Sequence, residues 1–148
     1  MQSPPNNEIR VEVRSTIDIV TARQTGREQA LALGFSGAEV TLVAAAISEI
    51  ARNILDHAKR GEVLFSQVQH GNHRGLQVIA QDQGPGIPDI GDAMQYGYST
   101  RRGLGVGLPG AKWLMDDFEI TSKVGEGTMV TMRKWLKNDN TSKFTPPR

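Results

Sequence analysis

Residues 36–58 read SGAEVTLVAAAISEIARNILDHA, and this stretch decides the fold. Ser36 and Glu39 have the S-x-x-E spacing of a capping box, in which side-chain oxygens satisfy backbone N–H groups left over at a helix start. Val40, Val43, Ile47, Ile50 and Ile54 then recur at alternating steps of three and four, the stripe that one helix face presents to a core. The spacing predicts an amphipathic helix from Gly37 to Ala58. Within it Glu49 and Asn53 lie one turn apart on one face, with His57 a turn further and rotated slightly away. Such a face can offer a carboxylate, an amide and an imidazole to one ligand. Polar pairs at this spacing also line ordinary solvated helix faces, and the helix alone does not choose between the two.

Outward from this helix, the chain alternates between the two periods. On the N-terminal side Ile9, Val11 and Val13 alternate with charged residues as a half-buried strand does, and the alternation runs on into STIDIV. Thr21 and Gln24 have capping-box spacing and are expected to open a helix through REQALAL, which Gly34 ends. On the C-terminal side residues 62–70 and 75–82 read as two strands joined by a turn containing Gly71 and Asn72. From Asp82 to Gly110 the density of Gly and Pro rules out one regular element. A short helix is expected from Leu108 to Asp117, with Pro109 tolerated in its first turn, and strands over 118–124 and 128–136 flank Gly125-Glu126-Gly127. The expected fold class is α+β: a two-layer α/β sandwich with a mixed, mostly antiparallel sheet of about five strands and helices on one face. One domain over residues 8–136, with polar tails at 1–7 and 137–148, accounts for the whole chain.

Composition narrows the function classes. With 148 residues, 38% of them hydrophobic, the chain suffices for one core and leaves no room for a second catalytic domain. Seventeen basic against sixteen acidic residues give a net charge of +1, so no electrostatic footprint for nucleic acid or an anionic membrane is present. The absence of cysteine excludes disulfides and thiolate metal sites. No apolar stretch approaches the ~20 residues of a membrane span, and the expected location is cytoplasmic.

Three glycine-rich stretches carry further chemistry. Asp82-Gln83-Gly84-Pro85-Gly86 follows a strand directly: a carboxylate there can accept from the exocyclic amine of adenine and repels the carbonyl of guanine, while the glycines permit close approach. Gly103-Leu104-Gly105-Val106-Gly107-Leu108-Pro109-Gly110 leads into a helix N-terminus, where unpaired N–H groups favour phosphate. It lacks the preceding strand of a dinucleotide fingerprint, and Ala111-Lys112 stands where a P-loop needs Lys-Ser/Thr. Gly125-Glu126-Gly127-Thr128 is, alone, an ordinary hairpin loop.

Taken together and in this order, Glu-x-x-x-Asn, D-x-G-x-G, G-x-G-x-G and G-x-G-T resemble the N, G1, G2 and G3 boxes of the GHKL (Bergerat-fold) ATPase superfamily. DIVTARQTGREQA, AISEIARNI, DQGPGIPDI, GYST and GLGVGLPG further resemble its branch of stressosome switch serine/threonine kinases, over roughly residues 8–136. The resemblance implies ATP and Mg²⁺ as cofactors. It assigns Asn53 to the metal, Glu49 to general-base catalysis, Asp82 to the adenine amino group with Gly84 and Gly86 beside it, and Thr128 to the base edge. Gly103, Gly105, Val106 and Gly107 would follow the triphosphate. A lid from about Asp89 to Arg102 would bring Arg101 or Arg102 to the γ-phosphate, and His57 either to phosphate or to Glu49. Asp56 stands where histidine-kinase relatives often carry lysine, and is expected to face solvent. The implied partners are STAS-domain scaffold or antagonist proteins and a downstream effector such as a PP2C-type phosphatase. An anti-sigma factor kinase and a nucleotide-gated binding module without transfer are the alternatives.

Overall fold

The computed structural model describes residues 8–87, 90–94 and 107–137. Strand β1 (Ile9–Val13) turns Val11 and Val13 into the core and stops there. The alternation through STIDIV does not extend it: helix α1 (Thr16–Leu33) begins five residues before Thr21. Its start is set by Asp18, whose Oδ2 accepts from the backbone N–H groups of Arg14 (2.8 Å) and Ser15 (3.2 Å). This S-x-x-D signal outweighs a run of alternation too short to specify a strand. Ile17 consequently stands 66% exposed while Ile19 is buried. Gly34, in the left-handed region at φ 103, closes the helix with its N–H on the carbonyls of Ala30 and Leu31.

Helix α2 (Gly37–Ala58) forms as its pattern requires. Ser36 Oγ accepts from Glu39 N at 3.2 Å, and the apolar stripe from Val40 to Ile54 is buried. The two helices approach closely at Gly26, where an added Cβ would lie 2.0 Å from Ile47 Cδ1. Strands β2 (Gly61–His70) and β3 (His73–Asp82) form the expected hairpin around Gly71, which has φ 60. A short helix α3 (Ile90–Ala93), helix α4 (Gly107–Leu114), and strands β4 (Asp117–Lys123) and β5 (Gly127–Trp135) complete the described elements.

The five strands run in the order β1-β2-β3-β5-β4, and every pairing is antiparallel. Val63, Phe65, Leu76, Val78, Ala80, Val130 and Met132 alternate toward the helices and meet Val43, Ile47, Ile50 and Ile54 in one core. Burying each large side chain of this set contributes roughly 1.5–3 kcal/mol before chain entropy is subtracted. Because β5 inserts between β3 and β4, Thr128 pairs with Asp82 on one side and with Ser122 on the other. One row across three strand ends is thereby created from residues far apart in sequence.

Candidate active site

The row Asp82, Thr128, Ser122 lies on the helix-facing side of the sheet, and its first two members are only 8% and 6% exposed. Asp82 Oδ1 accepts from Gly84 N at 2.9 Å, which turns the chain sharply at the strand end. Gly84 packs on the last residue of α2: a Cβ there would lie 2.5 Å from Ala58 Cβ. Gly86 has φ 79 and sits over the Lys123 carbonyl, so the loop after β3 touches the β4–β5 hairpin. Two bonds fasten that contact, Gly125 N to Pro85 O at 2.8 Å and Ile87 N to Ser122 Oγ at 2.7 Å. Gly127, at φ 128, is the tightest point, with a hypothetical Cβ 2.0 Å from the Asp82 carbonyl oxygen. Only glycine combines that conformation with that approach. A groove of about 440 Å³ also opens at this end of the sheet. Its wall takes residues from both faces of the sheet, Gln81, Thr121 and Met129 from one and Asp82, Ser122 and Thr128 from the other.

The second half of the site is helical. Glu49, Asn53 and His57 are all half-buried along α2. Glu49 Oε1 accepts from the N–H of Gly107, the first residue of α4, at 2.8 Å across 58 residues of sequence. The carboxylate thus caps the helix, pairing a backbone donor that has no partner within α4 at the end that carries partial positive charge. Burial raises the Glu49 pKa above the ordinary glutamate value; the Gly107 N–H and the Arg52 charge work against this, and the Asp56 charge adds to it. Asp56 is half-buried on the same helix, and its charge is the smallest of the contributions at Glu49. Seven residues separate the two on α2, nearly two full turns, so they share a face.

This geometry is accompanied by clear kinship. Residues 13–134 match the histidine kinase-like ATPase domain. The chain belongs to the GHKL ATPase family. It is 48% identical over 132 residues to the serine/threonine-protein kinase RsbT of Bacillus subtilis (strain 168), covering 89% of this chain and 99% of that relative. Anti-sigma F factors are more distant: that of Thermoanaerobacter sp. (strain X514) is 34% identical over 107 residues, 68% of this chain and 73% of its own length. That of Priestia megaterium is 27% identical over 106 residues. The chain is accordingly an RsbT-like GHKL kinase, and membership of this ATPase family implies ATP binding.

For this GHKL kinase, the fold brings Asp82, Gly84, Gly86 and Thr128 into one corner and sets Glu49, Asn53 and Gly107 along a neighbouring helix pair. Gly107 N–H meets the Glu49 carboxylate, a contact the sequence did not suggest. Arg101, Arg102, Gly103, Gly105 and Val106 lie outside the described residues, as does most of the Asp89–Arg102 lid. Among the described residues no cluster of three or more His, Asp or Glu side chains could cage a metal. Asn53, one turn from Glu49 on α2, offers an amide oxygen of the kind a hard cation takes alongside water and phosphate ligands. Sequence reasoning missed Ser122 and Arg52. Ser122 had one available signal, the three-residue Val124–Glu126 loop, which sets it opposite Thr128 once the hairpin register is assumed. Among the described residues no helix is long and apolar enough to cross a membrane.

Proposed function

We propose that this RsbT-like serine/threonine kinase transfers the γ-phosphoryl group of ATP to a serine or threonine on a STAS-domain protein, and that this changes which partner it holds. The observation that carries the reading is Glu49: a half-buried carboxylate of raised proton affinity, oriented by Gly107 N–H, one turn from Asn53. A base poised above the ordinary carboxylate range takes the proton of an incoming hydroxyl more readily than an exposed glutamate. The Asn53 amide oxygen would hold Mg²⁺, which supplies charge neutralisation on the phosphates when bound. Asp82 accepts from the purine amine, Thr128 lines the base edge, and the N-terminus of α4 faces the phosphate side. Arg101 or Arg102 would meet the γ-phosphate, with Gly103, Gly105 and Val106 along the chain of phosphates and His57 beside them. The working unit in this proposal is residues 8–136, in the cytoplasm, with a PP2C-type phosphatase or similar effector as second partner.

Incubation with labelled Mg·ATP and a candidate STAS-domain protein tests this directly. Label on a Ser or Thr of the substrate is expected, and Glu49→Ala should abolish it while nucleotide still binds. Unlabelled substrate with intact binding would reduce the protein to a nucleotide-gated binding module. The 34% identity to anti-sigma F factors supports a second reading, sequestration of a sigma subunit. Capture of a sigma factor in preference to the STAS protein in a pull-down would favour it.

A further inference from the structure

Ser122 has one proton and contacts three groups that compete for its hydroxyl. Its Oγ is 2.7 Å from Ile87 N, 3.1 Å from the Gly127 carbonyl oxygen and 2.8 Å from Thr128 Oγ1. Ile87 N–H can only donate, so it occupies one lone pair. The Gly127 carbonyl can only accept, so it takes the serine proton. Thr128 is then left to donate its own proton to the remaining lone pair of Ser122. This arrangement satisfies every donor and acceptor in the cluster; reversing the Ser122–Thr128 bond deprives the Gly127 carbonyl of that proton.

We propose that Ser122 fixes the purine selectivity of the site by holding the Thr128 proton away from the base, so that Thr128 presents only lone pairs beside Asp82. This deepens the proposed function and rests on the purine lying against Asp82. Asp82 already has Oδ1 engaged by Gly84 N–H, so the wall facing the base consists of acceptors. An exocyclic amine brings two protons to such a wall. A 6-carbonyl brings lone pairs and is repelled. The carboxylate alone cannot guarantee this discrimination, because a freely rotating threonine hydroxyl beside it could turn its proton toward the carbonyl and rescue the wrong base. Ser122 is therefore a positioning residue: it acts on the base through Thr128 and also pins the loop after β3 through Ile87.

The test is calorimetric titration with ATP and with ITP, whose base carries a 6-carbonyl in place of the amine and a proton in place of the N1 lone pair, with Thr128 taken to face position 6. The wild-type protein should prefer ATP. Ser122→Ala should lower the ATP/ITP affinity ratio by roughly tenfold, the worth of one hydrogen bond gained by the wrong base. A merely structural serine would weaken both nucleotides equally and leave the ratio unchanged, which would overturn the proposal. In a Thr128→Val background the same serine substitution should no longer move the ratio, because no proton remains to be released. Should Ser122→Ala not fold, Ser122→Cys preserves the size and most of the packing and is read by the same ratio. A wild-type protein that binds ATP and ITP alike, or neither, would instead sink the placement of the purine beside Asp82. That outcome is distinct from an intact preference that survives both serine variants.

Discussion

The two halves of the site are built by different means. The half proposed for the purine is a row across three strand ends, Asp82, Thr128 and Ser122, tied to the loop after β3 by short bonds through Ile87 and Gly125. The half proposed for the phosphates is a helix face whose described link to α4 at the site is a single bond, Glu49 to Gly107. Sheet register places the first and a tertiary helix contact places the second. Holding the nucleotide and moving the phosphoryl group should therefore fail independently, and substitutions can be chosen to strike one half at a time.

The largest expected effect is on the purine half. Gly127→Val would set a branched side chain at φ 128 against the Asp82 carbonyl, which lies 2.0 Å from even a first Cβ. The cost is on the order of 3 kcal/mol or more, seen as a fall in the thermal unfolding midpoint together with loss of ATP binding. Next comes Glu49→Ala, expected to lower phosphoryl transfer by about 10²–10⁴-fold with ATP affinity nearly unchanged, measured by single-turnover transfer and by titration. Asp82→Asn should do the reverse. Its amide oxygen still accepts from Gly84 N–H, so the turn survives, while ATP affinity falls by roughly 10–100-fold. If Asp82→Asn and Glu49→Ala gave the same split between binding and turnover, the two halves would not be separable.

Much of the fold was legible because it rests on local signals. The Ser36–Glu39 cap and the 3,4 spacing of α2 are written in consecutive residues, as is the Gly71 turn. The start of α1 was not, because alternating Ile17 and Ile19 mimic a strand while the deciding bonds run from Asp18 back to Arg14 and Ser15. The site divides the same way. Asp82 and Gly84 sit in a glycine motif whose chemistry can be argued from the residues, whereas Thr128 was assigned only through the resemblance, its G-x-G-T being alone an ordinary hairpin loop. Neither the Glu49–Gly107 bond nor the three-way contact of Ser122 could be read from spacing, since each depends on where separate elements pack.

The smallest expected effects concern the proton on Glu49, and they sharpen the contrast by tuning the phosphate half without touching the purine half. Burial is the main cause of the raised pKa, with Arg52 opposing it and Asp56 reinforcing it. Arg52→Gln should therefore move the acid limb of the transfer rate to higher pH, and Asp56→Asn should move it lower, both against an unchanged ATP affinity. The same shift has a stability sign. Folded protein holds the Glu49 proton more tightly than unfolded chain does, so the group favours folding below the ordinary glutamate value, and that contribution is lost as pH rises through the raised value. Glu49→Gln stays neutral throughout and can still accept from Gly107, so its unfolding midpoint should gain on wild type as pH rises across that window. A midpoint difference that is flat with pH would mean that Glu49 ionises as an ordinary surface carboxylate, leaving the phosphate half without its tuned base.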